Sequence, residues 1–124
     1  MNAWAVISPA GDLTWYPLTA TAEVEALAGG EHGALDRAFV AGPLRVVASD
    51  VALLFPGSYE PNPLAQAVIT ALSGGRISQP WRGHVALVQY EHGDLGEWLW
   101  PGEMDPEWER RITGAMAAAK GTRP

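Results

Sequence analysis

Residues 57–90 constrain the fold more than any other part of this chain. They begin Gly57-Ser58-Tyr59-Glu60-Pro61-Asn62-Pro63-Leu64-Ala65 and run through an apolar segment to Gly74-Gly75. They close on Trp81-Arg82-Gly83-His84-Val85-Ala86-Leu87-Val88-Gln89-Tyr90. Asn62 before Pro63 is a strong helix start. The Asn oxygen can accept from a free N–H of the first turn, and Pro at the first helical position forfeits no bond. Leu64, Val68, Ala71 and Leu72 then recur at helical spacing, and Gly74-Gly75 is the matching stop. Gly83 to Tyr90 is apolar at successive positions, the pattern of a central strand covered on both faces. A helix thus delivers the chain into a buried strand.

The flanking sequence supplies partners for that pair. Ala3–Ile7, a Gly11-Asp12 turn and the alternating Leu13–Pro17 segment predict a hairpin, across which Trp4 and Trp15 can pair. Thr21 is placed as the cap of a short helix stopped by Gly29-Gly30, and Glu31–Arg37 as a loop or single turn. Leu44–Ala48 and Val51–Phe55, separated by Ser49-Asp50, read as a second hairpin. Trp98-Leu99-Trp100 reads as a short strand. Asp105-Pro106 repeats the cap-plus-proline start, ahead of a helical face of Trp108, Ile112, Ala115, Met116 and Ala119. Glu107 and Arg111 have the spacing of a helical ion pair, and residues 121–124 read as a tail.

The chain has 124 residues, 48% of them hydrophobic, which suits one domain spanning 1–124 with its own core. It contains no cysteine, so packing alone must hold it, as is common in a reducing cytoplasm. Met1-Asn2-Ala3-Trp4 lacks the basic start of a secretory signal, and no apolar run approaches a bilayer span, so the expected location is cytoplasmic and off the membrane. The formal net charge is −6 with eight Lys and Arg, which argues against nucleic-acid binding.

Candidate chemistry is sparse. His84, Glu91, His92 and Asp94 carry metal-binding groups, but their spacing fits neither a helical nor a short-loop ligand pair. No Gly-x-Ser-x-Gly elbow occurs, and the Gly-Gly pairs follow helices, where they stop them, instead of preceding them to cradle phosphate. The expectation is no cofactor. Arg82 can meet a ligand carboxylate or an aromatic ring. Trp81, Trp98 and Trp100 are either an exposed partner surface or cover for the core under the last helix.

The order of motifs in residues 3–90 resembles the small phage- and plasmid-borne proteins catalogued as domain of unknown function 3846. The resemblance runs through Val6-Ile7-Ser8-Pro9-Ala10-Gly11, the helix from Glu23 to Gly30 and the apolar Val46–Phe55 segment. It continues through Pro61-Asn62 with Ala65 and closes on Gly83–Val88. Glu31–Gly42 is longer than that pattern, and residues 91–124 form an extension without counterpart in it. The resemblance implies a cytosolic α+β domain on a mobile genetic element and carries no catalytic residues.

The expected architecture is α+β: a mainly antiparallel sheet of about five strands with two or three helices packed on it. The first functional expectation is a non-enzymatic interaction module with a protein partner, through Trp81, Trp98, Trp100 and Arg82. The alternatives are a small-ligand or metal-binding enzyme using His84, Glu91 and His92, and a structural homodimer joined at a sheet edge.

Overall fold

The computed structural model describes residues 1–92, 95 and 98–121, with the backbone alone at 98–100. The strands are β1 (Trp4–Ile7), β2 (Leu13–Tyr16), β3 (Leu35–Ala41), β4 (Leu44–Ser49), β5 (Val85–His92) and β6 (Trp98–Gly102). The helices are α1 (Thr21–Gly29), α2 (Pro63–Leu72) and α3 (Pro106–Ala119). All six strands form one sheet in the order β2-β1-β5-β4-β3, and every pairing is antiparallel. β6 pairs with the second half of β5, on the side that β1 occupies along the first half. The fold is therefore α+β.

β5 is the centre because it is the strand that can afford burial on both faces. Val85 and Leu87 point into a core built with α2 and α3, alongside Ile7, Leu44, Val46, Val68, Ile69 and Ile112. Ala86, Val88 and Tyr90 point the other way, into a second core under α1 with Trp4, Val6, Val24 and Val47. Alternation along one strand thus divides the apolar residues into two layers on opposite faces of the sheet.

The first hairpin forms as expected, but Trp4 faces Tyr16 and Ala5 faces Trp15, so the two tryptophans lie on opposite faces. Trp4 is buried under α1, and Trp15 packs against the other core. Thr21 is the first residue of α1, not its cap; Ala20 holds the cap position without a side-chain bond. The Thr21 hydroxyl donates to the Leu18 carbonyl and accepts from Trp4 Nε1 at 3.0 Å, so helix and strand are tied instead.

The second hairpin is displaced from its expected place. It joins β3 to β4 through Gly42-Pro43, and Val51–Phe55 forms turns in a loop. The edges of β4 are taken by β3 and β5, leaving Val51–Phe55 no strand to pair with. β3 was unpredicted because it is an edge strand with exposed charges at Asp36 and Arg37; Arg37 pairs with Glu25 of α1 at 2.7 Å.

Asn62 caps α2 as expected, its Oδ1 accepting from Ala65 N at 3.1 Å. Asp105 does not cap α3. Gln89 on β5 competes for it: Gln89 Nε2 donates to the Asp105 carboxylate at 3.2 Å, and Asp105 N donates to Gln89 Oε1 at 2.9 Å. Asp105→Ala should therefore cost less than about 1 kcal/mol in urea unfolding, below the usual loss at an acting Asp cap. Arg111 lies over the Trp108 ring, 4.5 Å from its centroid, and the Glu107–Arg111 ion pair does not form among the described residues. Of the expected tail, 122–124 lie outside the described residues. Among the described residues no helix is long and apolar enough to cross a membrane.

Candidate functional site

A cleft opens where β1 ends and β5 begins. Its volume is about 330 Å³, and its walls come from four separate segments: residues 8–10, the C-terminal end of α1, the 58–60 loop and Gly83-His84.

Asn62 ties two of these segments together from beneath. It is 1% exposed, and its Nδ2 donates to the carbonyls of Ile7 and Gly83, both at 2.9 Å. Those carbonyls immediately precede Ser8 and His84, so one amide sets the spacing between two cleft walls. With the bond to Ala65 N, both amide donors and the oxygen are engaged, which is the condition for burying an Asn at low cost.

Tyr59 ties in the others. Its hydroxyl donates to Gly29 O at 2.6 Å and accepts from His32 N at 3.1 Å, joining the 58–60 loop to the end of α1. Its ring passes so close to two glycines that added Cβ atoms would lie 2.7 Å away at Gly30 and 3.0 Å away at Gly83. Gly83 N donates to Glu60 O at 2.7 Å, and Arg82 donates to Tyr59 O at 3.0 Å. All four segments are therefore fastened before any ligand arrives, which is the preorganisation a binding site needs.

The side chains facing this frame are chemically uncommitted. Ser58, Glu60 and His84 line the cleft, and among the described residues no hydrogen bond or ion pair engages their side chains. Ser8 Oγ already accepts from Asp12 N at 3.1 Å. The apolar lining is Pro9, Ala10, Leu27 and Tyr59.

The sequence-predicted residues divide sharply. His84 lines the cleft, immediately before β5, whereas Glu91 and His92 close the same strand. Eight residues of extended chain separate the two histidines by about 25 Å, so they cannot share an ion. Asp94 lies outside the described residues. Among the described residues no group of three or more His, Cys, Asp or Glu is placed to hold a metal.

Trp81 is 8% exposed and belongs to the core with α2 and α3, so its ring is not a partner surface. Its Nε1 is buried without a hydrogen-bond partner among the described residues, and Trp81, Arg82 and Leu53 help line a smaller recess of about 110 Å³. The side chains of Trp98 and Trp100 lie outside what the structure describes; their backbones pair with His92 and Glu91. Arg82 serves the frame through its bond to Tyr59 O.

Sequence reasoning missed two features. One is the Ser58-Tyr59-Glu60 wall, whose only signal was a polar turn ahead of the Asn62 cap. The other is the loop Leu53-Leu54-Phe55, read as a strand but displayed at the surface with exposures of 65%, 74% and 43%. Phe55 stacks on His32 with ring centroids 3.9 Å apart, and Leu54 N, Phe55 N and Ser58 N each donate within the loop.

No family model, curated protein or solved structure matches this chain. The fold and its sites therefore stand on their own geometry.

Proposed function

We propose that this chain is a non-enzymatic protein-interaction module whose partner docks on the Leu53–Phe55 loop. The observation that carries the reading is the exposure of three consecutive large hydrophobic residues on a loop held by its own turns. A monomer gains nothing by showing such a run to water, and exposed apolar patches of this kind mark protein contacts. The acidic composition suits a protein partner over a nucleic acid. The motif resemblance to phage- and plasmid-borne domains supports an accessory role on a mobile genetic element, acting in the cytoplasm. The test is capture from the source cells with the wild-type chain and with Leu53→Ser/Leu54→Ser. The double variant should keep the wild-type melting temperature, because both side chains are already solvated, and should lose the captured partner. Equal capture by both chains would remove the loop from the interaction.

A second reading, a homodimer, is favoured by β3, a seven-residue strand at the end of the sheet order that pairs with β4 among the described residues. Sedimentation equilibrium distinguishes it: a dimer that survives Leu53→Ser/Leu54→Ser and dissociates with Arg37→Pro would transfer the interaction to β3.

A further inference from the structure

We infer that the cleft between the ends of β1 and α1 and the start of β5 is a binding site for a small amphiphilic primary amine. The loop proposed to dock a protein is distinct from it, since neither Leu53 nor Leu54 lines the cleft.

The ligand class follows from donor and acceptor bookkeeping. The uncommitted groups are the Glu60 carboxylate, the Ser58 hydroxyl and the His84 imidazole. The carboxylate only accepts; the hydroxyl and the neutral imidazole each offer an acceptor as well as a donor. An ammonium carries three N–H donors and no acceptor, so its donor count matches the three acceptors these groups offer. No Lys or Arg lines the cleft, and Glu60 is its acidic side chain. A carboxylate or phosphate ligand would meet that charge with no cation among the lining residues, the nearby Arg82 being engaged by Tyr59 O.

The stem of the ligand follows from the remaining walls. Leu27, Pro9, Ala10 and the Tyr59 ring form an apolar lining beside the polar groups. That division suits an alkyl or aryl chain attached to the charged head. The cleft volume, about 330 Å³, lies at the small end of ligand sites, which favours a compact molecule. The frame of Asn62 and Tyr59 keeps the walls in place without the ligand, so little ordering is required on binding.

The test is a titration of the full chain, labelled with ¹⁵N, using butylammonium chloride, with 1-butanol and sodium butyrate as probes at matched ionic strength. Butylammonium should give saturable shifts at the amides of Ala10, Gly30, Ser58, Gly83 and His84, with a dissociation constant of about 10 mM or tighter. Glu60→Gln should weaken it roughly two- to fivefold while leaving the spectrum of the free chain otherwise intact, because the carboxylate is exposed and structurally unpaired. Butyrate should give no saturable shift. The proposal is overturned if butylammonium shows no saturation up to about 50 mM, a range spanning even weak fragment binding. It is equally overturned if butanol or butyrate binds as tightly, or if Glu60→Gln changes nothing. Leu53→Ser/Leu54→Ser should leave the amine titration unchanged, which separates this site from the protein-docking loop.

Discussion

Replacing Asn62 with Ala should lower the unfolding free energy by about 3 kcal/mol, and replacing it with Asp should cost at least as much. The cap bond to Ala65 N accounts for roughly 1 kcal/mol of this. The rest comes from the carbonyls of Ile7 and Gly83, each of which loses a buried donor at about 1 kcal/mol. Asp preserves the capping oxygen and ranks with Asn as a cap, so a residue that only capped would tolerate the exchange. Here Asp removes both amide donors and turns a carboxylate toward two carbonyl oxygens in a site that is 1% exposed. Urea unfolding with an unchanged slope is the measurement. An Asn62→Asp protein within about 0.5 kcal/mol of wild type would show that the two carbonyl bonds contribute nothing to stability.

The second large effect is expected at the glycines facing Tyr59. Gly30→Ala and Gly83→Ala should each destabilise by about 2–4 kcal/mol, combining backbone strain with overpacking. Both glycines have positive φ, 60° at Gly30 and 77° at Gly83, where an L side chain is strained. Both also have the Tyr59 ring in the way, so the neighbour must move as well as the backbone. That ring cannot retreat freely, because its hydroxyl is held by Gly29 O and His32 N. Gly33→Ala is the internal control: φ is 70°, yet no atom lies within 4 Å of its Cβ position. It should show the backbone cost alone, roughly 1 kcal/mol. Equal melting temperatures for the Gly33 and Gly83 variants would mean that the Tyr59 contact is soft.

These two expectations locate rigidity around the cleft, which bears on function. Asn62 and Tyr59 are buried, unreactive and fully bonded, yet they set the positions of Ser58, Glu60 and His84. Binding at such a place depends on residues that hold its walls as much as on those that offer a ligand a polar group. The Asn62 variants should therefore also broaden or displace the cleft amides, even under conditions where the chain remains folded.

The legible parts of the fold were those with short-range causes. Asn62-Pro63 starts a helix because the acceptor and its N–H lie three residues apart. β5 was recognisable because burial on both faces demands an uninterrupted apolar run. Asp105-Pro106 shows the limit of that logic: the helix starts as expected, but a glutamine from β5 takes the carboxylate. Nothing local distinguishes those two caps.

From the order of its residues alone, this chain determined where α2 and α3 begin, which strand lies at the centre, and that the class is α+β. Local propensity and periodicity act within a few residues, so they can be read in one dimension. The tertiary structure alone decided that Val51–Phe55 has no strand to join and stands at the surface. It also decided that Asn62 reaches Ile7, 55 positions away, and closes one side of a cleft. Edge availability and cleft geometry arise from which distant segments meet, and competition for those partners is settled only when the whole sheet forms.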